Sequence, residues 1–181
     1  MQRKLSRTRR DIIVALLELL KTNSLAEITI TQIAQEAKVA RRTFYLNYQN
    51  KEGVMKDYIE VLFDEFSRSL QTAGSRDSRH DTIAFFRFWK EHREFLLLLQ
   101  RNSLLNLLLD EYEQMLEETT LFSIENVMEK DVGAKQMRYV RVVLAASLMG
   151  MLLEWVESGF REEPEELAEV MENMMYHRKQ E

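Results

Sequence analysis

The chain has 181 residues, with 25 Lys and Arg against 30 Asp and Glu for a net charge of −5, and it contains five Gly, one Pro and no Cys. At 45% hydrophobic and 30% charged residues it can bury the core of one ordinary domain or two small ones, which excludes disordered and collagen-like classes. The absence of cysteine rules out a disulfide framework and every thiolate metal site, and the scarce Gly and Pro leave too few turn residues for an all-β fold. An all-α chain of about nine helices in a reducing, cytoplasmic setting is expected.

The first ten residues are basic, but the apolar stretch behind them is broken by Asp11 and Glu18 and lacks a small-residue cleavage site, so no signal peptide is expected. From Ser6 to Lys21 the positions Ile12, Ile13, Leu16, Leu19 and Leu20 recur at helical spacing, with Ser6 or Thr8 as cap and Thr22-Asn23-Ser24 as the stop. Thr29 and Gln32 have the spacing of a capping box, which starts a short second helix through Ile33, Ala34 and Ala37. Lys38-Val39-Ala40 interrupts it, and residues 41–48 read as a third helix of about two turns, completing a helix-turn-helix. Ile33, Ala34, Ala37, Val39 and Phe44 then face the first helix. Arg41, Arg42, Thr43 and Tyr45 are left outward, side chains that suit phosphates and base edges.

Asn50 caps a fourth helix that runs through Val54, Met55, Tyr58, Ile59, Leu62, Phe63 and Phe66 towards Leu70, with a loose start at Gly53. The division that follows is a head of residues 1–50, a linker helix of 51–73 and an all-α body of 74–181, the first clear loop falling at 74–79. In the body, residues 81–90, 94–100 and 103–122 are helical stretches and 129–133 is a loop. A long helix spans 134–157 and ends at Gly159, and Pro164 opens a last helix through Leu167, Val170, Met171, Met174 and Met175. The longest apolar run, 142–153, has 12 residues, short of the about 20 that cross a bilayer, and reads as a buried helix with no membrane partner.

Charge divides along the same line. Residues 1–51 carry ten Lys and Arg against four Asp and Glu, net +6, while residues 52–181 are net −11. A basic end on an acidic body orients a protein on a polyanion, although a solvated basic tail gives the same arithmetic.

The pattern Thr29-x-x-x-Ile33-Ala34-x-x-Ala37-x-Val39-x-x-x-Thr43-Phe44-Tyr45-x-x-Tyr48-x-x-Lys51-Glu52 resembles the DNA-binding head of the TetR family of bacterial transcriptional regulators. The resemblance covers residues 6–60, and the order of helices beyond is similar to that family's regulatory domain. It implies double-stranded DNA as partner, through a pseudo-palindromic operator. Arg41 and Arg42 stand where a recognition helix meets base edges, and Thr43 where a thymine methyl or a phosphate is touched. By resemblance Tyr45 and Lys51 are phosphate-contacting positions, with Thr31 and Asn47 as further candidates and Arg3 and Lys4 as an arm on the backbone. The chain departs from the family pattern at Lys38, where Gly is frequent, at Ala40, where a small hydroxyl is frequent, and at Tyr48, where Phe is frequent.

The resemblance also implies a homodimer through the last two helices, with Leu148, Met151, Leu152 and Trp155 beside Leu167, Val170, Met171 and Met174. A two-fold axis would then set two recognition helices about one DNA turn (~34–36 Å) apart. Folded inward, the same residues are simply core. Phe85, Phe88, Trp89, Tyr112, Met115 and Trp155 are either core or the lining of an effector pocket. His80, His92 and His177 are isolated and no catalytic, metal or cofactor motif is present, so no enzyme and no cofactor are expected. The expected function is that of a dimeric repressor released from its operator by a small-molecule or protein effector. The alternatives are an activator or protein-switched regulator of the same fold, or a helical adaptor without a specific DNA target.

Overall fold

Ser6 starts the first helix as its sequence position suggests: its hydroxyl accepts the Arg9 N–H at 3.2 Å, and α1 runs Arg7–Leu20 with Ile12, Ile13, Ala15, Leu16 and Leu20 buried. In this computed structural model, which describes residues 5–73, 78–118 and 134–176, nine helices and no strand lie among the described residues. The capping box at Thr29 and Gln32 forms with both of its bonds and opens α2, Ile30–Glu36. Lys38 then takes a positive φ of 54°, which turns the chain so that Val39 N–H reaches Ala34 O at 2.9 Å. A non-glycine residue there is strained by about 1–2 kcal/mol. α3, Arg41–Asn47, begins at Ala40 without any side-chain cap, and Phe44 is its buried anchor.

Asn50 Oδ1 accepts the Gly53 N–H at 2.8 Å and opens α4, Lys51–Ala73. A Cβ at Gly53 would come to 3.3 Å from that same oxygen, so glycine leaves the cap its room. α4 buries Val54 and Met55 with the head and Ile59, Leu62, Phe63 and Phe66 further along, so one continuous core runs from head to body. Around its far end stand α5 (Ser78–Glu91), α6 (Arg93–Arg101), α7 (Asn106–Glu118), α8 (Ala134–Glu157) and α9 (Pro164–Tyr176). α5 packs along α9, and α7 fills the space between α4 and α8. Gly159, with φ 81°, ends α8, and Trp155 Nε1 donates to Glu162 O at 2.9 Å to fold the turn into α9. Glu163 N–H is capped by Glu166 at 2.7 Å, and the acidic first turn of α9 suits the helix dipole.

Three sequence expectations change. The helix expected over 103–122 begins later, at Asn106, because Ser103 takes φ 57° and Leu104 N–H returns to Leu99 O at 2.9 Å to close α6, and residues 119–122 lie outside the described residues. α5 already begins at Ser78, inside the stretch expected as a loop at 74–79. The apolar segment of α8 is also longer than the 12-residue run suggested: Arg138–Glu157 has a mean hydropathy of 1.6 and passes a length-and-composition test for crossing a membrane. Its inward positions, Ala145, Leu148, Met149, Leu152, Trp155 and Val156, are core, whereas Tyr139, Val142 and Val143 are exposed. The candidate arm Arg3 and Lys4, the rest of the first loop, the loop at 129–133 and the side chain of Met175 lie outside the described residues.

Candidate nucleic-acid interface

Phe44, 0% exposed, anchors one side of α3 in the core of the head, which leaves Arg41, Arg42 and Tyr45 on its exposed side. Arg41 and Arg42 are exposed at the first turn of α3, Thr43 is half-buried, and Thr31 is exposed in the first turn of α2. Arg41 and Tyr45 form a clasp one helical turn apart. The guanidinium lies 5.6 Å from the ring centre and donates to the Tyr45 hydroxyl at 3.3 Å. Tyr45 is thus held pointing outward, where its hydroxyl can meet a phosphate while the guanidinium keeps donors for a base edge. Asn47 is half-buried, its amide donating to Thr43 O at 2.8 Å, which leaves one amide N–H and the carbonyl oxygen for other partners. Leu46, missed in the sequence reading, is 76% exposed on the same short helix and suits a thymine methyl. Its signal was an apolar residue beside Tyr45 with no place on the buried side.

Lys51 and Tyr48 have work inside the head. The Lys51 ammonium donates to Leu25 O and, at 2.7 Å, to Ile28 O, so it ties the α1–α2 connection to the start of α4. The phosphate role inferred for Lys51 therefore competes with two carbonyl bonds already made, and we take the stitching of the head as its first duty. Tyr48, the departure from the family's Phe, donates to the buried Asp57 of α4 and accepts from Arg9 Nε at 3.3 Å, while Arg9 pairs with Asp57 at 2.8 Å. Burial, and then the bond to Asp57, push the Tyr48 hydroxyl well above its ordinary range, so it stays protonated as a donor. Burial pulls the Arg9 guanidinium down, but Tyr48 and Asp57 outweigh it and leave the group raised and charged. These three residues lock α1, the end of α3 and α4 together. A second tie joins head and body: Asn102, just past α6, accepts the Leu25 N–H at 2.6 Å, and Arg101 donates to Leu20 O at 3.3 Å.

Residues 12–58 match the family described as bacterial regulatory proteins, tetR family, and residues 77–177 match the one described as transcriptional regulator C-terminal region. The chain belongs to the TetR family. A curated relative, the uncharacterized HTH-type transcriptional regulator YxbF of Bacillus subtilis (strain 168), is 37% identical over 95 residues, covering 47% of this chain and 24% of that relative. Among solved structures, the dihydroxyacetone kinase operon activator DhaS superposes with a TM-score of 0.62 at 20% identity, covering 94% of this chain and 95% of that one. The fatty acid degradation regulator FadR from Bacillus halodurans gives 0.61 at 16% identity, covering 99% and 100%. At these identities the two structures speak for the fold.

In this TetR-family regulator the body residues inferred for a partner chain divide between the chain's own core and its surface. Leu148, Leu152, Trp155, Leu167 and Met171 are buried within the chain's own core, against α5 and α7, and Met151 is partly buried. Among the described residues, Tyr139, Val142 and Val143 of α8 and, from the inferred set, Val170 and Met174 of α9 are exposed on the outer faces, Tyr139 and Val143 at 63% and 62% and Met174 at 67%. Of the pocket candidates, Phe85, Trp89, Tyr112 and Trp155 are buried in one aromatic core with Phe63, Phe66 and Phe86. Phe88 lines an open groove of about 340 Å³ between α4 and α5, beside Ser69 and His92. The side chain of Met115 lies outside the described residues.

Proposed function

We propose that this TetR-family regulator is a homodimeric, cytoplasmic repressor that reads a pseudo-palindromic operator and leaves it when an effector binds the body. The chain then works as a head of residues 1–50, a linker helix of 51–73 and a body of 74–181, with no catalysis of its own. The observation that carries this reading is the exposed face of α3, where Arg41, Arg42, Tyr45 and Leu46 stand together over the buried Phe44. Thr31, Thr43 and Asn47 flank them. A guanidinium bound to guanine supplies ~1–3 kcal/mol of discrimination per good pair, and the flanking hydroxyls and the positive charge of the head hold the backbone. The exposed apolar faces of α8 and α9 support the two-fold partner, since surfaces such as Tyr139 with Val142 and Val143 are costly to leave in water. Release follows from α4, which carries Asp57 of the head lock and Phe63 of the body's aromatic core on one rod.

The test is a selection of bound fragments from genomic DNA, followed by footprinting of the best site. Two half-sites with centres about 10–10.5 bp apart are expected, and inserting about half a turn of DNA between them should abolish binding. Enrichment of no common sequence would overturn the reading.

A further inference from the structure

The connection between α1 and α2 is held by side chains from two other elements. Leu25, 6% exposed, gives its N–H to Asn102 Oδ1 at 2.6 Å and its carbonyl to the Lys51 ammonium, so its two backbone groups are gripped from the end of α6 and from the start of α4. Lys51 also donates to Ile28 O at 2.7 Å, and Arg101 donates to Leu20 O at 3.3 Å. The connection is therefore tied from the last residue of α1 to the residue before the α2 cap. Asn102 is itself oriented for this bond. Its amide donates to Leu98 O at 2.9 Å, which turns its carbonyl oxygen towards Leu25. Ser103 behind it takes φ 57°, and the N–H groups of Ser103 and Leu104 return to Gln100 O and Leu99 O at 3.0 Å and 2.9 Å to close α6. A left-handed conformation at a non-glycine residue persists where the surrounding structure determines it.

The mechanical consequence follows from where these bonds lie. The Tyr48, Arg9 and Asp57 lock fixes the head to the start of α4, and what it leaves free is the bending of the long helix between head and body. An attachment off that rod removes the freedom, because a hydrogen bond weakens steeply once donor, hydrogen and acceptor leave a line. α1, α2 and α3 pack on one another, so a tilt of the head carries Leu25 away from Asn102 and turns α3 with it. We propose that Asn102 is a positioning residue for operator reading: by holding Leu25 it fixes the angle of the head, and with it the separation of the two recognition helices in the dimer. This rests on the homodimeric reading above and adds where the body sets the head's geometry. α6 packs on α5 and α8 of the body, so a shift of its end reaches the head without passing along α4.

The experiment uses the full chain with one spin label per copy, at Gln35→Cys on the exposed side of α2, since the chain holds no cysteine of its own. Pulsed dipolar electron paramagnetic resonance then gives the distribution of distances between the two heads, with the melting temperature measured beside it. The labelled protein with Asn102 in place is expected to give one narrow distribution. Asn102→Ala, and Asn102→Ser, whose hydroxyl is one bond too short to reach Leu25, are expected to broaden it at least about twofold, whereas Asn102→Asp keeps the acceptor and the narrow width. Leu108→Val, a core change in α7 that touches neither bond, is expected to lower the melting temperature and leave the width unchanged. On the operator found by selection, moving the half-sites by about 2 bp should cost the wild type at least about tenfold in affinity and Asn102→Ala less than about threefold, with binding to a single half-site unchanged. A broad distribution with Asn102 in place, an equally narrow one in Asn102→Ala, equal broadening in Leu108→Val or Asn102→Asp, or an unchanged spacing penalty would overturn the proposal. Failure of the dimer reading would show separately, as labelled protein without any dipolar coupling, and the proposal would fall with it.

Discussion

Tyr48→Phe tests whether the lock between the head helices is an energetic feature. The substitution removes one oxygen and keeps the ring, whose contact with Phe44 at 5.9 Å survives. What disappears is the donor to Asp57, a carboxylate only 2% exposed, so water cannot take its place, and Arg9 at 2.8 Å is left as its charged partner. A hydrogen bond to a charged acceptor contributes about 1.5–3 kcal/mol, and that is the loss expected. For a chain of this size the melting temperature should fall by about 3–12 °C, at about 2–4 °C per kcal/mol. Urea unfolding followed by far-UV circular dichroism measures it, with Asp57→Asn, which also removes the Arg9 ion pair, expected to cost more. A Tyr48→Phe protein within about 0.5 kcal/mol of wild type would refute the reasoning, because that is the range of a surface change without consequence.

Further outcomes follow from single features of the structure. Lys38→Gly relieves the positive φ at the head's turn and should stabilise the protein by about 0.5–1 kcal/mol in the same urea assay. Burial pushes the hydroxyls of Tyr48 and Tyr112 above their ordinary value of 10.0. The unfolded chain releases these protons near that pH while the folded one keeps them, so stability should decline above about pH 10, by up to about 1.4 kcal/mol per pH unit for each residue. Tyr112→Phe should remove one share of that slope and change nothing near neutral pH. In sedimentation equilibrium, Val143→Glu should give a folded monomer, whereas Leu148→Glu should fail to fold, since only the first lies on the outer face of α8.

The head was largely legible in the sequence because its signals are local. Ser6, the Thr29 and Gln32 box, the Asn50 cap and the buried Phe44 each act within four residues of their position, and the strain at Lys38 and the missing cap at Ala40 follow from single-residue chemistry. The uses of Tyr48 and Lys51 were not legible, because their partners, Asp57, Arg9 and the carbonyls of Leu25 and Ile28, lie across the fold. The last two helices were legible as helices, but their inward sides were not, for another reason. α8 is apolar on most of its circumference, so its periodicity does not say which side faces the chain's own core, and residues that α5 and α7 cover were given to a partner. Where the charge pattern distinguished a basic end from an acidic body, it needed no fold at all.

The measurement that tests the central claim most directly is fluorescence anisotropy of the purified protein on DNA from upstream of its own gene, across a salt series, with Arg41→Ala beside the wild type. The account predicts that wild type prefers that DNA to a scrambled duplex by about 10³-fold or more, and that Arg41→Ala erodes the ratio. Equal binding of both duplexes by wild type, or a ratio untouched by the loss of Arg41, would contradict it.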